Sequence, residues 1–320
     1  MVKKNKWSLL NWFKAKPLGS VQQIKVAEQA STTAVDAYWG NHTVNSTPFE
    51  SAQKSLDYLE WRFEEYPLRR ELTGLWGQHD GEIILDYGCG PANDLVGFLA
   101  HTQAQKVIGV DVSSKALRLA AHRLSLHHFS PARTELIRTS DDVQRIPLDD
   151  QSVDFIYCDG VLHHTSQPEA ILQEFYRVLR SNKRTHIMVY NRNSLWFHHY
   201  TAYYKMILEN AFPNLTVEEA FSKNTDGPEC PIARAYRPDQ WLGLCRQAGF
   251  DAEYLGGFFA RWELDLFKEH GSSALTDDRL PQEQRDFLAS LTYDNSGYPM
   301  YEGMYAGIGG VYRLWKRGNA

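Results

Sequence analysis

An α/β fold built on a doubly wound, mostly parallel sheet is what this sequence predicts, and three observations carry that reading. Between residues 82 and 190, short β-rich runs alternate with helix-patterned segments of about ten to fifteen residues. The first run, Ile83-Ile84-Leu85-Asp86, ends in an acid and enters a Gly-rich turn. The second, Val107-Ile108-Gly109-Val110-Asp111, ends in an acid 25 residues further on.

The elements follow in order. The 320 residues allow one large domain or two. Residues 1–27 form a basic leader and 28–80 a helical N-terminal cap, in which Pro67 breaks or restarts a helix. Residues 81–320 hold the sheet. Strands are read over 82–86, 106–111, 134–138, 153–158 and 186–190, with helices over 93–102, 113–127 and 168–179 between them. After Tyr190 the alternation stops. An insertion rich in aromatics, then in Asn, Pro and Gly, occupies about 191–235, and a second, helical and loop-like, about 261–300. A helix over 238–248 and strands over 252–259 and 310–316 complete a seven-stranded sheet. Such a sheet needs helices on both faces.

Composition narrows the class. Apolar residues make up 43% and charged residues 23%, an ordinary globular mix that excludes wholesale disorder. No apolar run approaches the ~18 residues of a membrane span. The four cysteines (Cys89, Cys158, Cys230, Cys245) form no CxxC pair. A disulfide scaffold and a cysteine metal site are therefore not expected, and a reducing, cytoplasmic location is. The net charge of −5 is uneven: residues 1–27 carry six lysines and no acid, so the rest is distinctly acidic. An acidic body argues against a nucleic-acid surface. The leader is no signal peptide, because its apolar residues are interleaved with polar ones. It reads either as a frayed basic terminus or as a weak membrane-surface contact through residues 1–17.

Three segments carry chemistry. In Asp86-Tyr87-Gly88-Cys89-Gly90-Pro91-Ala92-Asn93-Asp94, glycines let backbone approach a ligand and a helix N-terminus offers free N–H groups. The third glycine of a dinucleotide fingerprint is missing, which disfavours NAD. Asp111 sits where a carboxylate can accept from both ribose hydroxyls, or can simply begin a turn and cap the next helix. In the stretch from Thr139 to Asp154, an Asp could accept from an adenine amino group, or the whole could be a solvated acidic loop.

Taken together, ILDYGCGPANDL, VIGVDVS, DVQRIPLDDQSVDFIYCDGVLHH and EFYRVLR resemble the class I S-adenosylmethionine-dependent methyltransferases, most of all the bacterial small-molecule subgroup. The resemblance covers about residues 80–190 and implies a Rossmann-like fold, S-adenosylmethionine as cofactor and a small organic acceptor. It implies that Asp86, Gly88 and Gly90 hold the methionine end, Asp111 with Val112 the ribose, and Asp142 with Val143 the adenine. Backbone at Asp159 and Gly160 would face the methionine amino group. Two departures are visible: Ala92 stands where the family often has glycine, and Ser181-Asn182-Lys183 replaces the usual Pro-Gly-Gly. A non-catalytic S-adenosylmethionine-binding or scaffolding protein is the alternative.

Ligands of such sheets sit beyond the carboxyl ends of the strands. That places an acceptor near His163, His164, Tyr190 and Asn191. Either histidine could act as general base, or could pack beneath the loop. No third ligand has suggestive spacing, so no metal site is expected. The stretch 190–200 reads as an acceptor pocket or as a helix packed on the sheet. Asp226 and Arg234 are further acceptor candidates, though Thr225-Asp226-Gly227-Pro228 also reads as a plain turn. Among Arg62, Arg69 and Arg70, one could meet the cofactor carboxylate; a solvated face is the alternative.

Overall fold

The computed structural model describes residues 24–26, 33–142 and 145–317. The sheet has eight strands: β1 (Ile24–Val26), β2 (Ile83–Tyr87), β3 (Lys106–Asp111), β4 (Thr134–Arg138), β5 (Val153–Asp159), β6 (Leu179–Tyr190), β7 (Asp251–Phe258) and β11 (Gly309–Trp315). Their order is β1-β4-β3-β2-β5-β6-β11-β7, and only β11 runs antiparallel to its neighbours. A smaller sheet joins β8 (Thr292–Tyr293), β9 (Pro299–Tyr301) and β10 (Met304–Tyr305).

The strands form because their apolar runs are buried on both faces. Leu85 and Tyr87 of β2 join the core under α6 (Pro168–Val178) and α8 (Pro238–Gln247), while Ile84 joins the core under α4 (Asn93–His101) and α5 (Ser114–Leu126). The same division recurs along β5, with Ile156 and Cys158 on one side and Phe155 and Tyr157 on the other. Ser113 caps α5 by accepting from the Ala116 N–H at 3.1 Å.

The cap consists of α1 (Ala34–Asn41), α2 (Ala52–Glu65) and α3 (Arg69–Thr73). A capping box at Thr33 and Asp36 starts α1. The same Asp36 carboxylate accepts from Ser140 Oγ at 2.8 Å and Asp141 N–H at 2.9 Å, so the cap's first helix is tied to the loop after β4.

A second helical layer holds a π-helix (Trp196–Leu208), α7 (Val217–Asn224), α9 (Arg261–Thr276) and α10 (Gln282–Ala289). The π-helix, α9 and α10 share a core that includes Leu195, Tyr203, Phe259 and Phe287.

Two differences from the sequence reading concern the sheet. Residues 24–26, read as leader, form an eighth, edge strand parallel to β4; three residues are too few to show a β period. Strand β6 begins at Leu179, and Ser181–Lys183 lies in its irregular stretch opposite β5, with Asn182 at φ +62°. The basic residues 1–17 lie outside the described residues, and no described helix is long and apolar enough to cross a membrane.

Candidate functional site

A cavity of about 580 Å³ opens at the carboxyl ends of β2, β3, β5 and β6. Backbone geometry shapes its floor. Gly88 sits at φ +78°, and a Cβ there would lie 2.2 Å from Val161 Cγ2. Gly90 sits at φ +52°, and its N–H donates to Asp111 Oδ2 at 2.8 Å. Ala92, which breaks the glycine pattern, is itself held at φ +62° and is fully buried. An alanine in this region costs about 1–2 kcal/mol, and the turn keeps its left-handed shape nonetheless.

The acids around this floor are short of positive charge. Asp86 is buried, and its Oδ2 has no hydrogen-bond partner. Burial first, then the neighbouring Asp94 and Asp159, push its carboxyl well above the usual range. Asp111 accepts from the Ser113 N–H at 2.7 Å as well as from Gly90. Burial raises its pKa, and those backbone donors oppose the rise.

Arg62 and Arg69 reach the cavity from α2 and the start of α3. Arg69 is buried and bonds both Asp94 Oδ2, at 3.1 Å, and the Asp159 carboxylate. Arg62 Nη1 donates to Asp94 Oδ1 at 2.8 Å. Burial pushes Asp94 up, but the two guanidiniums outweigh it and hold the carboxyl below its ordinary value. Arg69 Nη1 remains buried without a partner. Arg70 instead lies at the surface over the Phe63 ring and pairs with Glu60. An unpartnered carboxylate oxygen, an unpartnered guanidinium nitrogen and a floor open to close backbone approach fit the amino-acid and ribose parts of S-adenosylmethionine.

At the other end, β6 ends in Tyr190, whose hydroxyl donates to Asp226 at 3.0 and 3.1 Å from its two carboxylate oxygens. His164 Nδ1 donates to the Ile232 carbonyl at 2.7 Å, leaving Nε2 3.5 Å from Asp226 Oδ2. Tyr38 of α1 donates to the Asp226 carbonyl oxygen. Trp39 packs over His164 with ring centroids 4.8 Å apart. Burial lowers the His164 pKa and raises that of Asp226, while each partner's charge opposes the shift of the other. Trp196, Tyr66, Phe258 and Met188 complete the apolar wall.

The sequence-predicted residues divide accordingly. Asp86, Gly88, Gly90, Asp111, Val112, Asp159, Gly160, His164, Tyr190 and Asp226 line one cavity. His163 does not: it is fully buried against the Tyr190 ring, and its Nδ1 accepts the Tyr190 N–H at 3.3 Å. Burial holds its pKa well below the ordinary histidine value. Asn191 is also buried, and its side-chain amide donates to Asn193 and Gly307 carbonyls. Arg234 donates to the Thr165 carbonyl at 2.8 Å and lines a separate hollow. Asp142 is exposed and bonded by Ser140 Oγ, whereas its neighbour Asp141 lines the cavity; Val143 lies outside the described residues. In the stretch 190–200, Trp196 lines the cavity while Phe197 and Tyr200 are buried. Glu263, which no sequence signal singles out, is fully buried beside this wall.

Residues 84–182 match the methyltransferase domain family. An uncharacterized 37.1 kDa protein of transposon TN4556 from Streptomyces fradiae is 38% identical over 106 residues, 32% of this chain and 29% of that protein. The malonyl-[acyl-carrier protein] O-methyltransferase of Serratia marcescens is 29% identical over 145 residues, 44% of this chain and 51% of that protein. The chain thus spans about half or less of the length of these two relatives. Phosphoethanolamine N-methyltransferase 2 of Haemonchus contortus, solved with phosphomonomethylethanolamine and S-adenosylhomocysteine, superposes with a TM-score of 0.52 at 14% identity, covering 90% of this chain and 61% of that one. That likeness is one of fold.

Proposed function

From a core that has the S-adenosylmethionine-binding fold of the class I methyltransferases, we propose that this protein transfers a methyl group to a small organic acceptor and releases S-adenosylhomocysteine. The observation that carries the reading is the single cavity joining Asp86 and Asp111 at one end to His164 and Asp226 at the other.

S-adenosylmethionine supplies an electrophilic methyl group on a positively charged sulfur. Asp111 would accept from the ribose hydroxyls. Arg69 Nη1 and Asp86 Oδ2, buried and unpartnered atoms of cavity-lining residues, would take the carboxylate and cationic parts of the methionine end. Asp141 and the backbone at Thr139 flank the same space and would serve the adenine, the duty the sequence reading gave to Asp142.

Methyl transfer is an in-line displacement, so the protein's task is alignment and exclusion of water. Trp39, Tyr66, Trp196 and Phe258 supply dry walls. A proton that leaves the acceptor goes to His164 Nε2, whose orientation is fixed because Nδ1 is committed to the Ile232 carbonyl. His163, closed off behind Tyr190, has no such access.

An acceptor screen read by S-adenosylhomocysteine release tests the proposal. The expected result is release with at least one small acceptor, strongly reduced in His164→Ala. Cofactor binding with no turnover across a broad panel would favour the scaffolding alternative.

A further inference from the structure

Resting on that reading, we infer that the acceptor is an amine that enters as its ammonium form, held between the aromatic walls and Asp226, and not a carboxylate- or phosphate-bearing molecule. The geometry at the inner end carries the inference. Among the described residues that line the cavity, the permanent cations are Arg62 and Arg69. Arg62 is bonded to Asp94, and Arg69 is clasped by Asp94 and Asp159. Neither lends net positive charge to the space beside Tyr190. Asp86, Asp111, Asp141 and Asp226 line the same cavity with no Arg or Lys salt bridge among the described residues, and Asp86 Oδ2 is buried without a hydrogen-bond partner there. Bound S-adenosylmethionine brings one net positive charge, which leaves the site still short of cation. An anionic acceptor group would meet buried carboxyls there without compensation.

The walls point the same way. Trp196 and Tyr66 line the acceptor end together with Phe258, which packs edge to face with Tyr66 at a centroid distance of 6.1 Å and carries the Arg69 guanidinium 5.9 Å from its own centroid. Ring faces attract a desolvated ammonium. Asp226 closes that enclosure with a carboxyl group steadied by the Tyr190 hydroxyl and by Tyr38 at its own carbonyl.

The chemistry balances. The ammonium gives one proton to the His164–Asp226 pair. The nitrogen lone pair forms the N–C bond as the methyl–sulfur bond breaks, and the bonding electrons stay on sulfur. The methylated ammonium leaves with its remaining protons, and the pair returns the transferred proton to water.

The test uses the full chain saturated with S-adenosylhomocysteine and three probes of one shape: 2-phenylethylamine, 2-phenylethanol and phenylacetate. Titration calorimetry is expected to give the amine an advantage of about tenfold or more over both others. Asp226→Asn is expected to cut that advantage to about twofold. Trp196→Leu, which leaves Asp226 in place, is expected to weaken the amine selectively. Equal or tighter binding of the alcohol or the acid overturns the inference, as does binding of none of the three. In either case retained S-adenosylhomocysteine affinity leaves the methyl-transfer reading standing; loss of that affinity in the unaltered protein removes both.

Discussion

His164 Nε2 lies 3.5 Å from Asp226 Oδ2, close enough for the charge of each group to favour the charged form of the other. Nδ1 of the same ring already donates to Ile232, so Nε2 is the sole titrating position. Burial disfavours the charged form of each partner, lowering one pKa and raising the other. The charge of each partner opposes that shift in the other, so the two form a pair poised to exchange a proton with an acceptor.

The first expectation concerns that unit. His164→Ala should lower turnover by about 10²-fold or more while S-adenosylhomocysteine affinity stays unchanged. His163→Asn, which keeps an acceptor for the Tyr190 N–H, should change turnover by no more than about twofold. In the unaltered protein the rate should rise with pH as the shared proton is lost. The Asp226 charge raises the His164 pKa, so Asp226→Asn should move that rise to lower pH. Single-turnover rates across pH in the three variants check all of this.

Asp86 sets function against stability. Its folded-state carboxyl holds a proton more tightly than an unfolded one. Its contribution to stability is therefore largest at acid pH and falls as pH rises above the usual carboxylate range. Asp86→Asn removes that loss. We expect the ligand-free variant to melt higher than the parent at neutral pH and to bind S-adenosylmethionine about tenfold or more weakly. Melting curves and calorimetry on the same samples measure both.

Arg69 joins the cap to the sheet by binding Asp94 and Asp159. Arg69→Met leaves Asp159 without its cation and Asp94 with Arg62 alone. The expected cost is about 3–5 kcal/mol, read from denaturant unfolding. Arg70→Met, at a half-exposed pair with Glu60, should cost no more than about 1 kcal/mol.

Glu263 fastens the acceptor-side wall. Its Oε1 accepts from the Ala260 N–H at 2.8 Å and the Ile308 N–H at 3.1 Å, and both residues line the cavity. Burial raises its pKa to about 8, against the pull of backbone donors. The folded protein then holds a proton that the unfolded chain releases near pH 4.5. Stability should fall as pH climbs from there to about 8. Glu263→Gln should flatten that slope, as melting temperature against pH will show.

The legible part of the molecule is the part whose physics is local. Apolar runs ending in Asp86 and Asp111, each followed by a helix and the second of these capped by Ser113, define β2, β3, α4 and α5 within a residue or so of their observed ends. The Gly88 turn is equally local. Asp141 and Asp142 show the limit: adjacent acids differ in exposure because Asp36, 105 residues earlier, anchors the Asp141 backbone. The separation of His163 from His164 is likewise tertiary, since Tyr190 covers one ring and Asp226 meets the other. Asn191 and Arg234 are polar for backbone partners that no spacing rule reveals. Strand β1 depends on its pairing with β4 and the π-helix on its packing with α9 and α10, so neither leaves a period to read.

Everything proposed for this cavity requires that its Asp86–Asp111 end hold S-adenosylmethionine. Titration calorimetry with S-adenosylhomocysteine tests it most directly. One saturable site per chain is expected, abolished by Asp111→Ala in a protein whose melting transition remains cooperative. A folded, unaltered protein that neither binds S-adenosylhomocysteine nor S-adenosylmethionine, nor melts higher in their presence, would contradict it.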